Sequence, residues 1–259
     1  MGRKTIDRTG EKGVNNFGSE MVIVEYRKWN DVDVYFPKYD WTFEHARYDK
    51  FKNGNIMCPY EPRYYGVGCL GEGKYKVREN GKIHKYYKIW YNMLTRCYDP
   101  RFHETHPTYK DCTVEECLLN FQYMAEWIEN NYYEVPGEVM CLDKDILCKG
   151  NKTYSRDKCI FVPERINLLF TKSDKARGDS PIGVTPRESG NYRVFCNNGY
   201  GKNIYLGTYP TKEEAFNVYK DYKENLIKKT INSYEGKIPE PFYSRLKIIM
   251  YDYKVEIDD

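Results

Sequence analysis

The chain has no run approaching the ~20 apolar residues that a membrane-crossing helix needs, and its first residues, MGRKTIDRTGEKG, lack the apolar stretch of a secretory leader. These absences point to the cytoplasm and away from a membrane partner. No two of the nine cysteines stand in a C-x-x-C pair, so neither a zinc ribbon nor a structural zinc is expected, and the odd number fits free thiols better than a disulfide scaffold. The densest candidate ligand group, Cys97, His103, His106, Cys112 and Cys117, reads as buried thiols and surface histidines. A strong charge excess is missing too: the net charge is only +3, so any nucleic-acid surface must come from local clustering of lysine and arginine.

What is plentiful is lysine, asparagine and tyrosine, an imprint of an AT-rich genome such as that of a low-GC bacterium or its phage. A length of 259 residues predicts two or three small modules. Residues 20–58 alternate apolar and polar side chains (MVIVEYRKW, DVDVYF), broken at Asn30-Asp31 and Asn53-Gly54, and predict a strand-rich first module. The stretch GVGCLG, from Gly66 to Gly71, satisfies G-x-G-x-x-G but is followed by EGKYKVRENGK rather than an apolar helix. It therefore reads as a glycine-rich loop, and no nucleotide cofactor is expected.

From Tyr86 the period changes to that of a helix, with Tyr86, Trp90, Met93 and Cys97 on one face and an end at Asp99-Pro100. A second helix is predicted from Thr113, where Thr113 and Glu116 have the spacing of a capping box, with Cys117, Phe121, Met124 and Ile128 facing a core. Asp174 to Ser180 reads as a linker. Three strands follow, Ile182–Thr185, Tyr192–Cys196 and Asn203–Leu206, then a helix capped by Thr211 with Glu214 in the box position.

The most chemically loaded stretch is LDKDILCKGNKTYSRDKCIFVPERIN, from Leu142 to Asn167. Strand alternation through LDKDIL would put Asp143 and Asp145 on one face and Lys144 on the other, and a helix starting near Pro163 would present Asn167 back toward that strand. Hydrolysis of a phosphodiester with a metal needs ligands for the cation, a group that orients or deprotonates water, and a positive charge for the phosphate. All three residue types are present here.

This segment resembles the HNH, or ββα-metal, endonucleases. Their pattern is an Asp-His pair on the first strand, a central Asn at the start of the second, and a His or Asn on the helix nine residues after the central position. Asp143-Lys144 takes the place of the pair, Lys158 the central position with Asp157 beside it, and Asn167 stands nine residues further on. The resemblance implies that Asp143 and Asn167 hold a divalent cation, Mg²⁺ with Mn²⁺ as the alternative. It also implies that Lys144, in place of the usual histidine, or Tyr154 activates water, and that Lys158 meets the phosphate. A lysine acts as a base only if its pKa falls far below ~10.4. WYNMLTRCY, PTYKDCTVEECLLNFQYMAEW and YSRDKCIFVPERIN extend the resemblance over roughly residues 64 to 178.

The C-terminal PIGV, YRVF and KNIYLGTYPTKEEAFNVY resemble the APETALA-type DNA-binding domain, and the pairing of the two is typical of phage homing-type endonucleases. That resemblance assigns contacts with double-stranded DNA to Arg187, Tyr192, Arg193, Lys202 and Tyr205. The expected architecture is thus α+β and multi-domain: residues 1–63 a strand-rich N-terminal module, 64–178 a ββα-metal nuclease core, and 179–259 a three-stranded sheet plus helix. A second reading uses the same residues without catalysis: Lys144 and Lys158 as phosphate contacts, Tyr154 as a packing aromatic and Asn167 as a helix-end hydrogen bonder, in a silent sequence-specific DNA-binding protein.

Overall fold

The structure, a computed structural model, describes residues 6–171 and 180–257. It mixes α and β with several small sheets, and its contacts divide the chain into two compact units, 1–130 and 131–259. The division falls inside the expected 64–178 segment. Most of the linker expected at Asp174 to Ser180 lies outside the described residues. No helix among the described residues is long and apolar enough to cross a membrane.

The first unit opens with an antiparallel sheet of β1 (Lys12–Val14), β2 (Glu20–Lys28), β3 (Asp31–Phe36) and β4 (Trp41–Ala46), in that order. Strand alternation places Met21, Ile23, Val32, Val34 and Phe36 in a core with Phe51 of α1 (Tyr48–Lys52) and Cys58, while Asp31, Asp33 and Tyr35 take the other face. The hairpin β5 (Arg78–Glu79) and β6 (Lys82–Ile83) turns through Asn80 and Gly81, both at positive φ. That is the turn chemistry a two-residue hairpin requires.

α2 (Lys85–Tyr98) begins and ends as its sequence predicts. Trp90, Met93, Leu94 and Cys97 are buried at helical spacing, and Asp99 caps the following α3 (Pro100–Thr105) by accepting the Arg101 N–H. The next helix differs from expectation. Thr113 and Val114 form a short strand, β7, Glu116–Leu119 is a single tight turn, and α4 runs only over Phe121–Asn131. At the predicted start the Val114 N–H donates to the Tyr98 hydroxyl instead of entering a helix, and the backbone further on is engaged as well. Cys69 N–H donates to Leu119 O and Phe121 N–H donates to Cys69 O, while Trp90 Nε1 donates to Leu118 O. The helix starts where those bonds end, with the Asn120 side chain accepting the Gln122 N–H. The glycine-rich stretch packs against this lead-in: a Cβ on Gly71 would sit 2.1 Å from Asn120 Oδ1, and one on Gly68 2.4 Å from Leu94 Cδ1.

In the second unit β8 (Met140–Asp143) pairs antiparallel with β10 (Ile160–Pro163), in the register Asp143 to Ile160 and Met140 to Pro163. The intervening segment contains the two-residue strand β9 (Thr153–Tyr154), and α5 (Glu164–Phe170) follows β10 without a connector. α5 lies against both strands. A second sheet of β11 (Val184–Pro186), β12 (Tyr192–Asn197) and β13 (Asn203–Tyr209) is antiparallel in that order, with α6 (Lys212–Asn232) and then α7 (Phe242–Asp252). The three strands and the Thr211 cap, whose Oγ1 accepts the Glu214 N–H, stand where the sequence places them.

Val184, Val194 and Cys196 turn one face of this sheet toward Ala215, Phe216 and Tyr219 of α6. Gly183 admits that contact: its φ is +75° and a Cβ would lie 2.1 Å from the Tyr219 ring. Gly183→Ala should destabilise the second unit by roughly 2–4 kcal/mol, combining a strained left-handed backbone with overpacking. Denaturant melts of the two proteins measure the difference.

Candidate functional site

Asp143 is the last residue of β8, and its carboxylate ends the strand. Oδ1 accepts the N–H of Asp145 (2.8 Å) and of Ile146 (2.7 Å), which turns the chain out of extended geometry. Asp145 is therefore off the strand, and the expected shared face of Asp143 and Asp145 is replaced by a turn. The two carboxylates still interact. Burial, and then the charge of Asp145, pushes the Asp143 carboxyl up to about 6 against the opposing pull of the two backbone N–H bonds.

Lys144 is buried, and its Nζ meets Asp145 Oδ2 at 3.0 Å. Its backbone oxygen accepts Asn151 Nδ2, which also donates to Thr153 O, both at 2.7 Å. Asn151 thus cross-braces the loop after β8. No periodicity marks that role; the only local signal is the Gly150-Asn151 turn.

Tyr154 is 1% exposed, a core aromatic in this conformation. Ser155 next to it is also buried, and its Oγ donates to Asp157 Oδ1 at 2.7 Å, holding that carboxyl below the ordinary range. Lys158 is half-buried in the turn that leads into β10, with its N–H on Ser155 O. Asn167 is half-buried on α5 between the buried Ile166 and the half-buried Leu168. Asp143 thus ends the first hairpin strand, Lys144, Tyr154 and Lys158 lie in the segment that follows it, and Asn167 lies on α5.

The donor chemistry of Asp143 and Asn167 suits a hard cation. Both offer oxygen, and a carboxyl raised by burial and by a neighbouring carboxylate is a site where positive charge would be stabilising. Histidine and acidic side chains form a closer trio elsewhere: ligand atoms of Asp31, Asp33 and His45 lie within 4.8 Å of one another. That trio already has its cation. Arg27 bonds Asp33 and also Asp31, at 2.8 Å, and holds the Asp31 carboxyl down to about 2, while His45 Nδ1 lies 2.9 Å from Asp31 and is raised by it. It reads as an ion-pair network tying β2, β3 and β4. Among Cys97, His103, His106, Cys112 and Cys117, the histidines are otherwise engaged: His103 Nε2 lies 2.8 Å from Arg96 O, and His106 stacks on Phe102.

The candidate DNA-contact residues divide by face. On β12, Val194 and Cys196 point to α6, so Arg193 and Phe195 point away from it. Arg193 is paired across the sheet with Thr185 and Thr208, and Phe195 with Tyr205, whose rings lie 5.4 Å apart. A bulge between Val194 and Phe195 keeps Tyr205 on the open face, where its hydroxyl meets Thr208 Oγ1 at 2.8 Å. Tyr192 is not on this face; it pairs with Tyr209 and packs into the α6 core. Arg187 lies in the turn before β12 and Lys202 in the turn after it, both exposed. A six-residue strand separates them, or roughly 20 Å at 3.3 Å per residue.

Comparison with protein-family models, with characterised proteins and with solved structures gives no match.

The raised Asp143 carboxyl has a measurable consequence. Ionising it costs stability as pH rises above its unfolded value near 3.8, and the full cost is present above about 6. Asp143→Asn keeps an oxygen for both backbone N–H groups and removes the charge. The variant should come close to the wild type at pH 4 and exceed it by on the order of 3 kcal/mol at pH 7.5 in the absence of divalent cations, as read from denaturant melts across that range.

Proposed function

We propose that the chain is a metal-dependent DNA endonuclease that binds duplex DNA through the open face of its C-terminal sheet, with a ββα-metal core at Met140–Phe170. The observation that carries this reading is the β8–β10 hairpin running directly into α5, with Asp143 at the end of its first strand and Asn167 on the helix. In this reading Asp143 and Asn167 are the oxygen ligands. A divalent cation held there would supply charge stabilisation for the leaving oxygen of a cleaved phosphodiester.

The chain's own groups do the rest. Lys144 or Tyr154 orients or deprotonates the attacking water, and Lys158, half-buried at the turn, neutralises charge on the phosphate. On the sheet, Arg193 and Tyr205 face the groove while Arg187 and Lys202 meet phosphates at its two ends. The domain boundaries near residues 63 and 178 and a bacterial cytoplasm, reached through phage infection, belong to the same proposal.

One observation favours a second reading, a silent DNA-binding protein of the same build: Tyr154 and Lys144, the two water-activating candidates, are 1% and 8% exposed. Catalysis requires that the loop after β8 give way to substrate; silent binding does not.

Plasmid nicking with Mg²⁺, Mn²⁺ or EDTA, run beside a DNA-binding titration, separates the two. The endonuclease reading expects cleavage with a divalent cation and none in EDTA. Asp143→Ala should abolish it while leaving affinity nearly intact. Of Lys144→Ala and Tyr154→Phe, the one that removes the water-activating group should cost on the order of 10²-fold in rate. Binding that falls with salt but leaves plasmid intact with every cation, on substrate including the source genome, would establish the silent binder.

A further inference from the structure

The turn between β12 and β13 carries a large aromatic side chain that the fold exposes and holds at once. Tyr200 is 64% exposed. Its turn is tightly specified: Gly199 and Gly201 both have positive φ, the Asn197 side chain accepts the Gly199 N–H, and the Asn198 side chain accepts the N–H groups of Tyr200 and Lys202. Gly199 is pressed against α5, where a Cβ would meet Leu169 at 3.2 Å and Arg165 at 3.4 Å. On that helix the Arg165 guanidinium lies 4.3 Å from the Tyr200 ring centroid, and its Nη1 reaches Ser233 Oγ at 3.4 Å.

One face of the tyrosine ring is thus backed by a cation that α5 carries and Ser233, just past the end of α6, holds in place, and the other is open. An aromatic fixed in this way has already lost the rotamer freedom that stacking would otherwise cost. Arg165 stands two residues before Asn167, and Lys202 and Tyr205 follow within the same turn and strand. The ring therefore sits at the junction between the helix of the proposed cleavage site and the open sheet face.

We propose that the open face of Tyr200 stacks on a nucleobase drawn out of the duplex, so that the protein prefers DNA with an unpaired base beside the bound segment. This rests on the reading that the second unit binds DNA. The chemistry that recognises the ligand is the π face of a base, with the Arg165 and Lys202 cations drawing in the adjoining phosphates. Such a contact is indifferent to sequence, because every base has a π face. It adds affinity wherever a base is already unpaired, since the cost of unstacking is then absent.

The test uses the full chain in EDTA and two otherwise identical labelled duplexes, one fully paired and one with a single bulged base, titrated by fluorescence anisotropy. The wild type should prefer the bulged duplex by on the order of tenfold, the scale of one base–aromatic stack. Tyr200→Ala should bring the ratio to about one while keeping its affinity for the paired duplex and its melting temperature. Tyr200→Phe and Tyr200→Trp should keep the preference. A wild-type ratio of one, or a preference that survives in Tyr200→Ala, overturns the stacking role and leaves the DNA-binding reading standing. No binding of either duplex overturns that reading and this inference together. A Tyr200→Ala protein that retains the ratio but changes from dimer to monomer in light scattering would make the ring a contact between copies of the chain instead.

Discussion

α5 is seven residues long, and the second unit is organised around its placement. β10 enters it without a connector, so its direction is set by the hairpin. Ile166 and Leu169 are buried on one side, and α6 also packs against it. Arg165 joins it to Ser233 and to Tyr200, and Phe170 stands edge-on to Tyr253 with ring centroids 5.0 Å apart. A helix this short has little intrinsic stability in water. Its geometry is imposed by the packing of its buried side against β8, β10 and α6, and it links the hairpin to the helix that backs the three-stranded sheet.

The C-terminal residues reinforce that relation from the other end of the hairpin loop. Lys149 pairs with Glu256 at 2.9 Å, and Arg245 of α7 donates to Asp157 O at 2.7 Å. The Val255 N–H donates to Glu224 on α6, and Val255 itself is buried. Each exposed pair is weak by itself. The bonds at Lys149 and Asp157 tether the segment between β8 and β10 at two points, one within it and one near β10, where it is otherwise a long loop with one short strand. The tether matters for any chemistry at Lys144 or Lys158, since displacement of a reacting group by about 1 Å can cost 10²-fold.

Much of the local structure was legible because local signals and tertiary packing agree. The helix of Trp90, Met93 and Cys97, the Thr211 cap and the strands on either side of the NNGYGK turn all follow from periodicity, capping and turn residues. The failures occur where a tertiary bond outweighs a local preference. The capping box at Thr113 is sound as sequence, but the backbone of Leu119 and Phe121 is committed to Cys69, fifty residues away. Asp145 leaves the strand because Asp143 bonds the N–H groups that a strand would have paired. Tyr192 turns inward because strand parity is set by Val194 and Cys196 against α6, and a face assignment one residue off reverses every side chain. Nothing in the spacing of Arg165 and Tyr200 marks them as partners.

The two functional readings differ in what they ask of one buried carboxyl. A protein that only grips DNA gains nothing from Asp143 as an ion; the two N–H bonds would be served as well by a neutral amide, and the charge costs stability at neutral pH. A nuclease needs that same charge, because a carboxyl destabilised by burial and by Asp145 gains more from a bound cation than one already paired with arginine. The contrast lies within this chain: Asp31, held by Arg27 down to about 2, has little to offer a metal, whereas Asp143, pushed up to about 6, has its charge only partly answered. The turn that Asp143 makes at the end of β8 accounts for its two N–H bonds; under the proposed function the remaining charge would also have a use, since a bound cation would answer it.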